Sequence, residues 1–354
     1  MSGTKQYDGT ATTDPAEYTT SLSRGLKAPQ WTTADFALTS SDGTTATAIK
    51  NAGTYSVTLS SKGIADLQAA NKNYQITSAN VKAGSFTITK APVTISATDV
   101  TTPYSGQAYA QPLTATVTGK PDQGAALVYQ VTTDSDAVNV NQTDYPITVT
   151  AKAADNPNYQ ITINNGTLKI TPNTTTDVSV KAVAPATYNG TAATYSVSLP
   201  AGVNAPASWT AEDFNLPFET NAGTYTVSLS DKGRADLQAA NSNYEFTNTN
   251  IKPATFTISR VALAAGDVTV KGNAKTYDGT AISDKYGVKL NQKLQAPAWA
   301  AADFDLSGIT SQNVGDYTIT LSDQGIKDLQ AANLNYQVTR LILRLASLQS
   351  IHES

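Results

Sequence analysis

Three short sequence words occur in the same order four times along the chain, and this internal repetition constrains the fold more than any other feature. The first word is Tyr-x-Gly, the second is Asn-x-x-x-Tyr and the third is Asn-x-Asn-Tyr. In chain order, the tyrosines are Tyr7, Tyr104, Tyr188 and Tyr277 in the first word, Tyr55, Tyr145, Tyr225 and Tyr317 in the second, and Tyr74, Tyr159, Tyr244 and Tyr336 in the third. Ordered repetition of this kind indicates an array of homologous modules.

The words divide the 354 residues into four modules and a tail. We place the boundaries at 1–90, 91–172, 173–260, 261–339 and 340–354. We expect the first module to lack its first strand and the fourth to lack its last strand. The tail matches nothing upstream; we favour a frameshifted or artificial end there over a substitute strand or a short helix.

Segments of alternating polarity predict strands with one buried face. Tyr225-Thr-Val227-Ser-Leu229 follows the second word, and Tyr159-Gln-Ile161-Thr-Ile163 follows the third. Their period of two is that of a half-buried strand. In the first word, Asp-Gly or Asn-Gly supplies the positive φ that tight turns need. The predicted fold is mainly β, a tandem array of four small β-sandwich or β-grasp-like modules.

A short helix is predicted between the second and third words of the first, third and fourth modules. The N-cap candidates are Ser60, Ser230 and Ser322. In the first module Leu67 lies on the apolar face, and Asp66 is placed to pair with Lys62 one turn earlier. Asn71 is expected to stop the helix by adopting left-handed backbone. The second module carries Pro157 in this region, which predicts a tight loop instead.

Composition excludes several classes of function. The chain has no Cys and a single His, His352, which removes disulfides, thiolate or His metal sites and His-assisted nucleophilic catalysis. The net charge of −4 is spread without basic or acidic blocks, so nucleic acid is not an expected partner. No apolar run approaches the roughly 18 residues of a membrane span, so membrane insertion is not expected either. We see no signal peptide or anchor in this segment.

Paired carboxylates could in principle support glycosidase chemistry. However, the most regular acidic positions recur once in every helix-bearing module, which is typical of structural residues rather than of one active site. These positions are Asp35, Asp213 and Asp303, and Asp66, Asp236 and Asp328. We therefore predict no catalytic residue and no cofactor.

The tryptophans are the best candidates for ligand binding. Each helix-bearing module has one, followed by Asp-Phe: Trp31 with Asp35, Trp209 with Asp213, and Trp299 with Asp303. An exposed aromatic face flanked by a carboxylate can stack on the apolar side of a pyranose. The alternative, and the more usual fate of a large aromatic side chain, is that Trp and the following Phe close one end of the core.

The second module contains an oxygen-rich cluster in place of a tryptophan. It consists of Asp134, Asp136 and Asp144 with Asn139 and Asn141. Such side chains can bind Ca²⁺. The spacing matches no EF-hand and includes no bidentate Glu, so the calcium-site hypothesis rests on the type of side chain alone.

The three words, together with Gly-Thr-Leu-Lys-Ile-Thr-Pro at 166–172, resemble the MBG/YDG family of bacterial surface repeats. The resemblance spans roughly residues 7–339, and the second module is most similar to the YGX-type pattern. It implies one small β-sandwich or β-grasp-like module per repeat, in wall-anchored mucus-binding and cell-binding proteins of Gram-positive bacteria such as lactobacilli. It transfers no individual binding residue to this chain.

These observations lead us to expect a non-catalytic, extracellular repeat region of a cell-surface adhesin. It would be a monomer in an extended array, with mucin or host-cell glycans and proteins as partners, and its wall anchor would lie elsewhere in the parent protein. Two alternatives stay open. One is a pure stalk that spaces a distal binding domain, and the other is a glycan-binding accessory region of an extracellular carbohydrate-active enzyme.

Overall fold

The computed structural model describes residues 1–12, 14–46, 48–272, 275–277, 280, 286–309, 314–340, 343–344 and 346–348. Asp278, Gly279 and Asn313 of the fourth module's words, and most of the tail including His352, lie outside the described residues. The chain is mainly β, as the alternating segments predict, and it divides into two compact units, Met1–Asn173 and Thr174–Ser354. None of the described helices has the length and apolar character that a membrane crossing requires.

A six-stranded mixed sheet forms the first module. In spatial order its strands are Tyr18–Thr19, Ser2–Gln6, Gly84–Thr89, Gly53–Leu59, Phe36–Thr39 and Thr45–Ala46. Only the pair Ser2–Gln6 and Gly84–Thr89 is parallel. Because strand side chains alternate between faces, every second residue points inward, and Phe36, Leu38 and Phe86 are completely buried there.

Two sheets form the second module. One is four-stranded, in the order Gln130–Thr133, Tyr145–Thr150, Gly166–Thr171 and Val100–Pro103; the other is three-stranded, in the order Tyr159–Asn164, Ala91–Ala97 and Ala115–Thr118. Ile147 and Leu168 are completely buried in its core. The 3-10 helix Ala153–Asp155 and a turn replace the α-helix in this module, as Pro157 predicts.

The second unit contains the third and fourth modules, each built around a central opening strand. Val178–Val183 lies between Thr194–Ser198 and Ile251–Lys252, and Val268–Gly272 lies between Tyr286–Leu290 and Leu343–Arg344. The other sheets pair Gly223–Val227 with Ala254–Ile258, Val261–Ala262 with Tyr336–Gln337, and Tyr317–Leu321 with both Phe304–Asp305 and Ala346–Leu348. Leu343–Arg344 therefore pairs with the opening strand of the fourth module as Ile251–Lys252 does in the third. Ala346–Leu348 likewise takes the place of Ala254–Ile258.

Three α-helices lie where the sequence predicts them. They are α1 (Ser61–Ala70), α2 (Asp231–Ala239) and α3 (Asp323–Ala332). Each begins at the predicted serine N-cap; the Ser60 side chain, for example, accepts a hydrogen bond from the Gly63 N–H. Each also buries one leucine, Leu67, Leu237 or Leu329, against its module.

The predicted stop of α1 is correct in position but wrong in mechanism. Asn71 has φ −134° and ψ 62°, so it is not left-handed. Its side chain ends the helix instead: Nδ2 donates to Leu67 O at 2.8 Å and to Lys27 O at 2.7 Å, and Oδ1 accepts from Lys27 N at 2.7 Å. The bond to Leu67 O satisfies a carbonyl that the end of the helix leaves without a partner, and the two bonds to Lys27 tie that end to an earlier loop.

The strand predicted after the third word forms fully only in the second module. There Tyr159–Asn164 pairs along its length with Ala91–Ala97. In the first module the prediction is wrong: the described residues after Tyr74 form no strand, and the side chain of Gln68 in α1 bonds this backbone. Its side chain donates to Tyr74 O at 2.6 Å and accepts from Ile76 N at 2.7 Å.

The Tyr-x-Gly words form the tight turns that their composition predicts. Gly9, Gly106 and Gly190 have φ of +80°, +78° and +79°, a region that glycine enters without steric cost. Asp8 Oδ1 accepts from Thr10 N at 2.8 Å and closes the first of these turns. The described copies of this word are thus structural turns.

Candidate functional site

A buried aspartate joins the helix to the sheet in each helix-bearing module. In the first module Asp35 ends the 3-10 helix Thr33–Asp35 and is fully buried. Its Oδ2 accepts from Thr32 N at 2.7 Å and Thr32 Oγ1 at 2.9 Å, and its Oδ1 accepts from Lys62 Nζ at 2.7 Å. We call Thr32, Asp35, Lys62 and Gly63 the helix clamp of this module.

The helix clamp brings two backbones into direct contact. Asp35 O accepts from Ser60 N at 2.9 Å. A Cβ on Gly63 would lie 2.1 Å from the same oxygen, so only glycine fits at this helix position. Lys62 also pairs with Asp66 at 2.6 Å, which confirms the pair predicted from their spacing.

The third module repeats the clamp. The Asp213 carboxylate is fully buried and accepts from Thr210 N at 2.6 Å, Thr210 Oγ1 at 2.9 Å and Lys232 Nζ at 2.5 Å. Gly233 would place a Cβ 2.1 Å from Asp213 O.

Hydrogen bonding affects the pKa of Asp35 and of Asp213 more strongly than burial does. Burial by itself raises the pKa of Asp35, but the hydrogen bonds from Lys62 and Thr32 stabilise the charged form and hold that pKa below its usual value. Burial likewise raises the pKa of Asp213, and Lys232 and Thr210 reverse the effect and lower it. The hydrogen bonds to Asp35 and Asp66 in turn raise the pKa of Lys62.

The fourth module keeps the buried aspartate but changes two partners. Asp303 is 1% exposed and accepts from Ala300 N at 2.7 Å. Ala300 stands where the other modules have threonine, and Gln324 stands where they have lysine. Gln324 Nε2 donates to Asp328 Oδ1 at 2.8 Å. This clamp therefore lacks the buried ion pair.

The aspartates predicted to flank a sugar are engaged inside the protein. Asp35, Asp213 and Asp303 are buried, and their carboxylates accept hydrogen bonds from groups of their own module. The glycan-binding prediction accordingly rests on the tryptophans.

Each tryptophan is partly buried against the phenylalanine five residues later. The ring centroids are 5.6 Å apart for Trp31 and Phe36, 6.3 Å for Trp209 and Phe214, and 5.8 Å for Trp299 and Phe304. Packing on the core leaves part of each indole accessible.

Trp31 also lines a cavity of about 680 Å³ in the first module. Its walls include Leu22, Arg24, Tyr74 and Val81. Trp31 Nε1 is buried without a hydrogen-bond partner. A mainly apolar wall is the kind of surface that ligand pockets use.

The predicted calcium ligands form turns. Asp134 O accepts from Ala137 N at 3.2 Å, and Asp136 O accepts from Val138 N at 2.8 Å. Over the described residues, Asp144 included, no three His, Cys, Asp or Glu side chains lie together in a group that could hold a metal ion. The calcium site stays a prediction.

The words of neighbouring modules meet, a relation that sequence reasoning missed. In the first unit the Tyr7 ring contacts the Tyr159 ring edge to face at 5.4 Å. Asn158 Oδ1 accepts from Ala52 N at 2.8 Å, and Asn158 Nδ2 donates to Asn51 Oδ1 at 3.3 Å. The first and second words of one module thus hold the third word of the next, and we call this contact set a module joint.

The two tyrosine hydroxyls of this joint both bond to the backbone of one residue, Ala125. Tyr7 OH accepts from Ala125 N at 2.9 Å, and Tyr159 OH donates to Ala125 O at 2.5 Å. Tyr7, Asn158 and Tyr159 are 4%, 6% and 3% exposed. Burial, aided by Tyr7, raises the pKa of Tyr159 to about 12.

The second unit contains the same joint between its own two modules. Tyr188 and Tyr336 are edge to face at 5.9 Å. Asn335 Oδ1 accepts from Ala222 N at 2.7 Å, and its Nδ2 donates to Asn221 Oδ1 at 3.0 Å. Two independent copies with the same contacts explain why the three words occur together and in fixed order.

Comparison with known proteins agrees with the repeat structure. The MBG domain model matches residues 1–90, 173–260 and 264–344, which is most of the chain. The chain belongs to the MBG domain family, which confirms the resemblance carried by the words. The module boundaries, and the assignment of 91–172 as a short module, stay predictions.

One solved structure similar to this chain is a cell surface adhesin from Lactobacillus reuteri. It is 32% identical over 25% of this chain and 91% of that one, with a TM-score of 0.20. No curated protein matches the chain.

Proposed function

We propose that this chain is a non-catalytic repeat region of an extracellular bacterial surface adhesin that projects from the cell wall and binds mucus, host glycans or host cells. The observation that carries the proposal is the threefold match to the MBG domain along one chain. Modules in series suit a protein that must reach away from its attachment point.

The distribution of polar side chains supports a non-catalytic role. The clamp aspartates Asp35, Asp213 and Asp303 are buried, and the joint asparagines Asn158 and Asn335 bond the neighbouring module. Both sets hold backbone or neighbouring side chains. A catalytic acid or base instead needs access to a substrate within hydrogen-bond reach.

Binding is proposed to be weak at each module and stronger over the array. A net charge of −4 on 354 residues gives little electrostatic attraction, so stacking and neutral hydrogen bonds would provide recognition. Trp31, Trp209 and Trp299 offer one partly exposed aromatic ring per helix-bearing module. Several weak contacts on one chain multiply through their effective concentration.

Binding of the full chain to immobilised mucin, measured before and after enzymatic removal of the glycans, tests this proposal. We expect saturable binding that disappears with the glycans. Changing the three tryptophans to Leu should weaken it about tenfold or more, since an aromatic contact is worth about 1 kcal/mol. Changing exposed Lys72 to Ala provides a matched surface control, and circular dichroism checks that each variant is folded.

The pure stalk is the second candidate, and the joints and clamps favour it specifically, because they commit the repeated polar residues to architecture. A stalk would bind mucin no better than an unrelated protein of equal length, at every concentration and with or without the tryptophans. That result would overturn the adhesive proposal and leave the family assignment intact.

A further inference from the structure

The tripeptide Asn-Gly-Thr occurs at 165–167 and again at 189–191. In an Asn-Gly pair the backbone nitrogen of glycine can attack the side-chain carbonyl carbon of asparagine, because glycine has no Cβ to obstruct the approach. The two copies have the same residues on the reacting side, so their chemistry in an unfolded chain is alike. The folded structure therefore decides which copy reacts.

The copy at 165–167 is held by the sheet of the second module. Gly166 is buried at the start of a strand, where it lies opposite Ile147. A Cβ on Gly166 would lie 3.0 Å from Asp99 Oδ1. Asn165 Oδ1 accepts from Val149 N at 3.0 Å, which ties the side-chain amide to a neighbouring strand. Ring closure requires backbone rotation at this pair, and these contacts oppose it.

The copy at 189–191 lies in the open. Asn189 and Gly190 are both exposed, and a Cβ on Gly190 would have no atom of the described residues within 4 Å. Asn189 Oδ1 accepts from Thr191 N at 2.9 Å. This bond folds the side chain back along its own backbone, as in an Asx turn. It also draws electron density away from Cγ, the carbon that the Gly190 nitrogen attacks.

The equivalent turn of the first module is covered, which shows what is particular to Asn189. A Cβ on Gly9 would overlap the carbonyl of Gln123 in the second module. The turn at Asn189 has no such cover among the described residues, although the preceding Tyr188 packs on Tyr336 as Tyr7 packs on Tyr159. A joint tyrosine in the second unit is thus followed directly by a reactive pair.

We propose that Asn189 is a site of spontaneous deamidation. The Gly190 nitrogen bonds to Asn189 Cγ, and the side-chain nitrogen leaves as ammonia with the proton of the Gly190 amide. Water then opens the cyclic imide. Breaking the new bond to Cγ gives aspartate in a normal main chain. Breaking the original bond to the main-chain carbonyl carbon gives isoaspartate, in which the main chain runs through the former side chain.

The two products act differently on the joint between the third and fourth modules. Aspartate is the residue of the first module's turn, where Asp8 Oδ1 accepts from Thr10 N at 2.8 Å, so it keeps the turn. Isoaspartate adds a methylene group to the main chain directly after Tyr188. The Tyr188 N–H donates to Ser259 O at 2.9 Å, and its ring contacts Tyr336. The longer main chain therefore loosens this joint.

Mass spectrometry of the aged chain tests the site. The full chain is kept in mildly alkaline buffer, sampled over days and digested under mildly acidic conditions, and fragmentation locates each conversion, which adds about 1 Da. We expect Asn189 to convert at least about tenfold faster than Asn165 in the folded chain. In urea the two should convert at similar rates. Equal rates in the folded chain, or faster conversion of Asn165, would overturn the proposal.

A serine variant supplies the matched control. Asn189→Ser places in this turn the residue that the second module has at Ser105. Its hydroxymethyl side chain has no carbonyl carbon and forms no imide. The variant should therefore show no conversion at position 189 and unchanged conversion at Asn165.

Hydrogen exchange of the Ala222 amide, which donates to Asn335 Oδ1 in the joint, tests the consequence. Enzymatic methylation of the free α-carboxylate measures the isoaspartate fraction. We expect a rapidly exchanging Ala222 fraction that grows with isoaspartate in the aged chain and does not appear in aged Asn189→Ser. Slow exchange in a chain rich in isoaspartate at position 189 contradicts the loosening. Neither measurement contains mucin, so the result is independent of the adhesive function.

Discussion

The helix clamps of the first and fourth modules solve the same packing problem with different chemistry. Both place a buried aspartate beneath the start of a helix, and in both a Cβ on the helix glycine would lie about 2 Å from the aspartate carbonyl oxygen, 2.1 Å at Gly63 and 2.2 Å at Gly325. Only the first adds a lysine to the carboxylate. The shared backbone contact positions the helix, and the ion pair is an addition to it.

Each of these modules contains one tryptophan, which makes the comparison measurable. A chain with Trp209→Phe and Trp299→Phe reports unfolding of the first module through Trp31. A chain that keeps only Trp299 reports unfolding of the fourth module. Both tryptophans pack on the phenylalanine that follows their clamp aspartate.

The largest effect is expected from adding a methyl group at the shared contact. Gly63→Ala and Gly325→Ala should each lower the unfolding free energy of their module by about 2 to 3 kcal/mol, because the new Cβ meets backbone that cannot move alone. Urea titration with the single-tryptophan chains measures both values. Gly287→Ala, where a new Cβ would have no atom of the described residues within 4 Å, is the control and should change stability little. Similar losses in the two modules support a shared backbone contact; a loss confined to one contradicts it.

The next effect separates the two clamps. Asp35→Ala should cost about 2 kcal/mol, because it leaves the Thr32 N–H and hydroxyl without their acceptor and leaves Lys62 with Asp66 alone. Asp303→Ala should cost only about 1 kcal/mol, because one backbone N–H is left in that clamp. Urea titrations of the single-tryptophan chains measure both losses of unfolding free energy. Equal costs would mean that the ion pair adds nothing to the first clamp.

Acid should weaken the first clamp through Asp35. Its folded pKa lies below 3.8, so the unfolded chain takes up the proton first as pH falls. The contribution is therefore complete above about pH 5 and is lost as pH falls below 3.8 toward the folded pKa. The urea midpoint of the chain that keeps only Trp31, compared at pH 6 and pH 3, measures this contribution. Asp35→Asn should make the midpoint less dependent on pH. A dependence unchanged in Asp35→Asn would assign the acid sensitivity to other groups.

The smallest effect is expected from exchanging the clamps' differing partners. Lys62→Gln should lower the urea midpoint of the first module slightly, because the Lys62 side chain is half exposed and water screens its ion pair. Gln324→Lys should raise the midpoint of the fourth module slightly. Urea titrations of the two variants should show midpoints shifted in opposite directions. Midpoints shifted in the same direction would show that the two sites are not equivalent.

The sequence contains enough information to predict the elements but not the contacts between them. Alternation predicted strands such as Gly223–Val227 and Tyr159–Asn164, and Ser60 with Leu67 predicted α1, because these signals depend on residues a few positions apart. The true role of Asn71 depends on Lys27, which is 44 positions away. Local rules therefore located the end of the helix and assigned it the wrong cause.

The joints were missed for the same physical reason on a larger scale. Asn158 and Ala52 are 106 positions apart, and each belongs to a different module. Considered module by module, the words appear as separate turns and strand starts. Only the structure shows that the regular spacing of the three words reflects a contact between successive modules.

The central claim is that the repeated words hold successive modules together, and amide hydrogen exchange at Ala52 and Ala222 tests it most directly. In the unmodified chain both amides should exchange slowly, because each donates to a joint asparagine. Asn158→Ala should accelerate exchange at Ala52 and leave Ala222 unchanged, and Asn335→Ala should do the reverse. Rapid exchange of both amides in the unmodified chain, or slow exchange of Ala52 in Asn158→Ala, would contradict the claim.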